Sequence, residues 1–361
     1  MFFGLVALPA LVAAQAQAPA PSPSPMPTPD DTPALRVGAT IFSDFTYTES
    51  PQVQDADGNL IHANAFDVSR AYLNLTGALS HLVSFRATAD VKRLTSATSS
   101  PATALDGTEL FRLKYAYGQI GLDRILPKGS WVRIGLQQTP LVDYEEGVYR
   151  YRFQGTAAVE REGFLSSSDF GISGRLNLPG DRGDIHLGVY NGESYVKGET
   201  NDQKAFQIRG TVRPLPGHAI LRGLRLTAFY DADKYVKGAP RTRFVANVVF
   251  EHKHIVAGAD FIQARDRTSA RAALIESSAY SIWARPRTSI GIEALLRYDS
   301  FKPNKAVDAR KSRTIVGAAY WFKTQAPVSV ALLADYERVT YAPILVKPRE
   351  GRMALHCLFA F

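Results

Sequence analysis

Alternation at a period of two, repeated from residue 35 onward, is the feature that most restricts how this chain can fold. The clearest instance is 83–92, where Val83, Phe85, Ala87, Ala89 and Val91 point one way and Ser84, Arg86, Thr88, Asp90 and Lys92 the other. Successive side chains of a strand face opposite sides, so this segment is a strand with one apolar and one polar face. The stretch 351–361 has the same form, with Met353, Leu355, Cys357, Phe359 and Phe361 opposite Ala354, His356, Leu358 and Ala360. Soluble domains commonly end in polar, frayed residues. A strand that closes a membrane barrel has reason instead to be apolar and to carry an aromatic residue at the boundary.

Sixteen such segments are expected, near 35–48, 67–79, 83–92, 109–121, 131–138, 168–178, 185–190, 204–213, 224–234, 243–251, 255–264, 277–285, 289–299, 313–322, 328–338 and 352–361. An even number returns the chain to the side where it started. Tight connections such as Ser80-His81-Leu82, His252-Lys253-His254 and Pro286-Arg287-Thr288 alternate with longer polar ones such as 93–108 and 300–312. No segment with a 3.6-residue period competes. The expected fold is all-β: a transmembrane antiparallel β-barrel of about 16 strands over 34–361, with short periplasmic turns and long extracellular loops.

Composition agrees. Hydrophobic residues make up 45% of the chain, yet no run of about 20 apolar residues is present to cross a bilayer as a helix. An apolar core at 2–14 followed by Ala14-Gln15-Ala16 reads as a cleaved signal peptide, 1–16. Prolines 19, 21, 23, 25, 27, 29 and 33 then alternate with small residues, so 17–33 is expected to be an extended periplasmic linker. Cys357 is the single cysteine, which excludes an internal disulfide and a cysteine metal site. The formal net charge is +8, but the cations are scattered along strands rather than gathered in an arm or helix. A nucleic-acid partner is therefore not expected.

The two faces assign those charges. Phe244, Ala246, Val248 and Phe250, or Ile290, Ile292, Ala294 and Leu296, form outward apolar rows for outer-membrane lipid. Tyr47, Trp131, Tyr298, Trp321, Tyr336 and Phe361 lie near strand ends, where an aromatic girdle is expected. Arg86, Lys92, Arg112, Lys114, Arg133, Arg175, Arg209, Arg225, Arg243 and Arg297 fall on the opposite face, with Asp90, Asp231, Glu251, Glu293, Asp335 and Glu337. A charge turned into lipid at the midplane costs about 2–4 kcal/mol, so these residues should line water. Sixteen strands enclose an aqueous channel, and a cationic lining favours anions. The segment 140–167 is the longest connection, and its Tyr144, Glu145, Glu146, Arg150, Arg152 and Arg161 suggest a loop folded into the lumen as a constriction. There Arg150 and Arg152 are expected to face Glu145, Glu146 or wall carboxylates, with an unpaired excess attracting anions.

Two stretches carry a family resemblance. FDVSRAYLNLTGALSHLVSFRATADVK at 66–92 resembles the N-terminal hairpin of the porin O and P family, the phosphate- and polyphosphate-selective outer-membrane porins. WVRIGLQQTPL is similar to that family's Ile-Arg-x-Gly-Gln-x-x-x-Pro strand, with Arg133, Gly135, Gln137 and Pro140 at the matching positions. The resemblance implies a channel whose anion selectivity depends on an arginine ladder and loop lysines. Here 140–167 contains no lysine and five carboxylates.

No dinucleotide fingerprint, phosphate loop or H-E-x-x-H is present. His62, His81, His218, His252 and His254 read as turn or loop residues, while His186 and His356 lie within strands without an evident serine partner. Asp231-Ala232-Asp233 and Asn201-Asp202 read as loop tips too sparse for calcium. No catalytic residue, cofactor or metal site is expected. The expected function is an outer-membrane porin for passive diffusion of small hydrophilic solutes with an anion preference, assembled as a homotrimer and recognised by the barrel-assembly machinery through the strand ending at Phe361. The alternatives are a substrate-specific channel for sugars or organic acids, or a plugged structural or adhesive barrel.

Overall fold

A computed structural model describes residues 32–93 and 108–361. The expected signal peptide, nearly all of the linker and most of the 93–108 connection lie outside these residues. The described chain forms a closed barrel of sixteen antiparallel strands. In order they are β1 Ala34–Ser50, β2 Asn64–Ala78, β3 Val83–Arg93, β4 Glu109–Gly121, β5 Trp131–Gln138, β6 Ser168–Asn177, β7 Gly183–Tyr190 and β8 Ala205–Val212. Then follow β9 Leu224–Val236, β10 Ala239–His252, β11 Ile255–Asp266, β12 Ile275–Pro286, β13 Ile292–Lys302, β14 Lys311–Trp321, β15 Ser329–Tyr341 and β16 Glu350–Ala360. Each pairs with its neighbours in sequence, and β1 closes the ring by pairing Phe42 with Arg70 of β2 and with Leu358 of β16. Closure leaves no strand edge facing lipid, which is what lets a sheet span a bilayer.

Face assignment follows the alternation. On β10, Phe244 and Val248 are exposed outward while Arg243, Val245, Asn247 and Val249 are buried inside. On β13, Ile292, Leu296 and Tyr298 face out and Glu293, Leu295, Arg297 and Asp299 face in. The aromatic girdle is partly corrected: Tyr298, Tyr336 and Phe361 are exposed, but Trp131 and Trp321 are buried. Trp321 shares its face with inward Ile315 and Ala319, so parity sets its direction.

Connections depart from strict alternation in two ways. β9 and β10 run further than expected and are joined by Lys237-Gly238 alone, with Gly238 at φ 80°. Asp231 and Asp233 consequently sit inside β9, buried, not at a loop tip. On the opposite rim, 122–130 and 213–223 are longer than the tight turns beside them, the latter holding a short helical turn at Leu221–Gly223.

The connection 139–167 also contains helix, where none was expected. Helix α1, Pro140–Tyr149, has proline at its first turn, the one place where the missing N–H costs nothing. It buries Leu141, Val142, Glu145, Val148 and Tyr149, a face at helical spacing obscured in the sequence by the charged Glu145. Arg150 ends it in the left-handed region at φ 69°, donating its N–H to Glu146 O. A short helix α2, Ala158–Arg161, follows.

Candidate pore constriction

The segment 139–167 lies inside the barrel, and two apolar clusters seat it. Leu141, Val142, Ala158, Val159 and Phe164 pack with Phe229, Val245, Ile262 and Ala279 of β9 to β12. Tyr149, Tyr151 and Phe153 pack with Trp283, Leu295, Ile315, Trp321, Leu333 and Phe42. Tyr151 meets Trp321 edge to face at 5.8 Å and Tyr149 meets Trp283 at 5.5 Å, the arrangement aromatic quadrupoles favour. Inward apolar side chains on strands that should be polar inside are thus explained by the loop that covers them.

Four wall arginines fasten the loop's backbone. Arg209 donates to Pro140 O, Arg285 to Val148 O, Arg297 to Thr156 O and Arg243 to Phe164 O, each at 2.9 Å. Each is also charge-paired: Arg209 with Asp184, Arg285 with Glu293 at 3.4 Å, Arg297 with Asp299 at 2.8 Å and Arg243 with Asp266 at 2.9 Å. Irregular backbone at membrane depth needs such donors because no bulk water satisfies its carbonyls. Side chains of the loop reach the same wall. Arg150 bonds Glu293 at 3.1 Å with its guanidinium 3.3 Å from the Trp321 ring centre, and Arg161 bonds Glu337 at 3.2 Å. Burial, opposed by Glu293, lowers the Arg150 guanidinium to about 10.

The wall from β2 to β5 carries a second set of buried cations. On β2 to β5, Arg86 lies over the Tyr115 ring at 4.6 Å, Lys114 over Tyr72 at 4.9 Å, and Arg133 over Trp131 at 3.8 Å. Arg112 lies over Tyr195 at 4.7 Å and, with Arg70, shares the single carboxylate Asp90. Facing them, the loop presents Asp143, Glu146, Arg152 and Glu160, all partly exposed. Arg152 is held within the loop, 2.8 Å from Glu146 and 3.3 Å from Glu160. Burial raises the Glu146 carboxyl even with Arg152 opposing it, whereas for Glu160 Arg152 and Lys114 outweigh burial and lower it. The gap between cationic wall and acidic loop is the candidate constriction.

The ten inward cations expected to line a channel therefore fall into three groups. Arg86, Lys92, Arg112, Lys114 and Arg133 lie on β3 to β5, where Lys92 is exposed, Arg112 partly exposed and the other three buried. Arg209, Arg243 and Arg297 lie beneath the loop and donate to its backbone carbonyls. Arg175 pairs with Asp184 at 3.2 Å and Arg225 with Glu251 at 2.6 Å, near the short-turn rim. Arg150 and Arg152 are both paired, so the loop offers no unpaired cation from them. Glu145 does not enter the gap; it points behind α1 and is buried. Arg70, Arg285, Tyr72 and Tyr115 were not singled out in the sequence. The runs Ala294-Leu295-Leu296 and Ala331-Leu332-Leu333-Ala334 could have shown where the inner wall is covered, because alternation vanishes when both faces are dry.

Gly135, at φ 121°, allows β4 and β5 to approach: an added Cβ would lie 2.4 Å from Ala116 O. Its neighbours Arg133 and Gln137 are buried inside the barrel.

No family model matches the chain, and no curated protein does either. The fold is that of the outer-membrane porins. An anion-selective porin from Comamonas acidovorans superposes with a TM-score of 0.62 at 11% identity, covering 91% of this chain and 100% of that one. OmpT, an outer membrane protein of Vibrio cholerae in its trimer form, gives 0.58 at 11%, covering 92% and 100%. The outer membrane channel DcaP of Acinetobacter baumannii gives 0.55 at 11%, covering 91% and 97%.

Histidine geometry adds one correction. His186 Nε2 lies 3.2 Å from Ser173 Oγ, so a serine partner exists. Ser173 donates to Gln137 Oε1 at 2.6 Å, and among the described residues no carboxylate bonds to His186. The pair lacks the third group that would orient a catalytic base. His356 lies between Asp44 at 2.5 Å and Asp335 at 3.5 Å on the inner wall.

Proposed function

We propose that this protein is an outer-membrane porin, a water-filled channel through which small hydrophilic solutes diffuse passively with a preference for anions. One observation carries the reading: among the described residues the wall from β2 to β5 bears Arg70, Arg86, Arg112, Lys114 and Arg133 with Asp90, and the loop facing it presents Asp143, Glu146 and Glu160 with Arg152, so cations outnumber carboxylates there. Excess fixed positive charge beside a narrow aqueous path lowers the energy of an anion there and raises that of a cation. A planar bilayer under a salt gradient tests it. Discrete open steps with a reversal potential of anion-selective sign are expected. A cation-selective sign overturns the preference.

A second reading, a substrate-specific channel for organic acids, draws on the guanidinium groups of Arg70, Arg86, Arg112 and Arg133, whose planar forks match a carboxylate. Saturating block of chloride current by one such acid would favour it. A plugged structural or adhesive barrel predicts correct insertion with no conductance. The resemblance to the porin O and P family rests on Arg133, Gly135, Gln137 and Pro140, and phosphate is one anion to include in the block experiments.

The remaining parts belong to the same proposal. Residues 1–16 act as an export signal, 17–33 as a periplasmic linker, and β16 with Phe361 as the strand met by the assembly machinery, with a homotrimer as the working form. On this orientation a tag at Asn304, between β13 and β14, reacts with a membrane-impermeant label on intact cells; reaction only after outer-membrane rupture reverses the topology.

A further inference from the structure

Behind α1, away from the gap, lies a small cavity of about 10 Å³ lined by Glu145, Asn247, Asp260, Ser281, Trp283 and Arg297, among others. That is room for one water-sized guest. Glu145 is 3% exposed, and neither of its carboxylate oxygens has a hydrogen-bond partner among the described residues. Asn247, equally buried, spends its amide N–H on Asp260 Oδ1 at 2.6 Å and leaves its own carbonyl oxygen unpartnered. Arg297 does not supply the missing counter-charge. Its Nε and Nη2 grip Asp299 at 2.8 Å and its Nη1 donates to Thr156 O. Two carboxylates and an amide oxygen therefore line a space the size of one small guest, and among the described lining residues the one cation, Arg297, has its N–H groups committed to Asp299 and Thr156.

We propose that this cavity binds one calcium-sized divalent cation through Glu145, Asp260 and Asn247, and that the ion locks α1 to strands β10 and β11. The donor set is all oxygen, as hard cations require. Two carboxylates match a charge of two, and a space for one guest disfavours magnesium, which keeps several waters.

Trp283 in the lining provides the readout, because a lanthanide ion of calcium's size bound there is sensitised by the indole. The test uses the full-length folded barrel in detergent, stripped with a chelator. Terbium should give luminescence on indole excitation, and calcium should quench it by competition. Calcium should also raise the thermal unfolding temperature by several degrees, since a ligand that binds only the folded state stabilises it. Both responses should vanish in Glu145→Gln, while Trp283→Phe should lose the luminescence and keep the thermal shift. If calcium changes neither signal in the unmodified protein, the proposal fails. It fails equally if Glu145→Gln unfolds at a higher temperature than the parent whatever the calcium, because the two carboxyls then share a proton. Neither readout depends on whether the barrel conducts.

Discussion

The two sides of the inner wall use arginine for opposite ends. From β8 to β13, Arg209, Arg243, Arg285 and Arg297 are buried, charge-paired and bonded to loop carbonyls. From β2 to β5, Arg86, Lys114 and Arg133 stack on aromatic rings, and Arg70 and Arg112 divide one carboxylate between them. A guanidinium surrounded by acceptors is neutralised locally and acts as a fastener. The same residue type, with the same place in the alternation, thus fastens the loop on one side and, as proposed, sets the field of the aqueous path on the other.

Removing the cover has the largest expected effect. Excising 142–163 with a short glycine bridge should raise single-channel conductance several-fold and weaken ion selectivity. Normal insertion with unchanged conductance would move the constriction elsewhere and erase the distinction between the two sides.

Loosening one fastener should do less. Arg285→Met leaves Val148 O without its donor and removes one partner of Glu293, and each buried polar group left unpaired costs about 1–3 kcal/mol. We expect noisier currents, a lower unfolding temperature and protease cleavage within the loop, with ion selectivity nearly unchanged. A selectivity change without a loss of stability would place Arg285 among the field-setting cations.

Arg112→Gln is the converse. Its side chain is 29% exposed and Asp90 keeps Arg70 as a partner, so stability should hold, as for most solvent-screened pairs. The reversal potential should shift toward cations. If stability falls and the potential stays put, the β2 to β5 side is fastened too.

The smallest effect expected is on pH dependence. Glu146 faces the gap with a carboxyl raised by burial, so it protonates at a higher pH than an ordinary glutamate. Protonation removes a negative charge beside Arg152 and should strengthen anion preference as pH falls toward the carboxylate range. Glu146→Gln should show the stronger preference already at neutral pH and lose that step.

The fold was legible in the chain because period-two alternation is a local property: each of the sixteen expected segments coincides with a strand, and β16 closes on β1 through faces the sequence already displays. Which residues face inward was equally legible, since parity decides it. What an inward residue does was not. Arg133 and Arg297 occupy equivalent places in the alternation, yet one lies over Trp131 and the other donates to Thr156 O. Helix α1 was hidden because its buried face includes the charged Glu145, and Trp321 was assigned to the girdle because nearness to a strand end says nothing about side. Sequence by itself determined the barrel, its strand number and its two faces, all set by spacing along one segment or between neighbours. Only the tertiary structure decided which part of the wall the loop covers, because that depends on apolar patches from Phe229 on β9 to Leu358 on β16 meeting a segment that leaves the wall after β5.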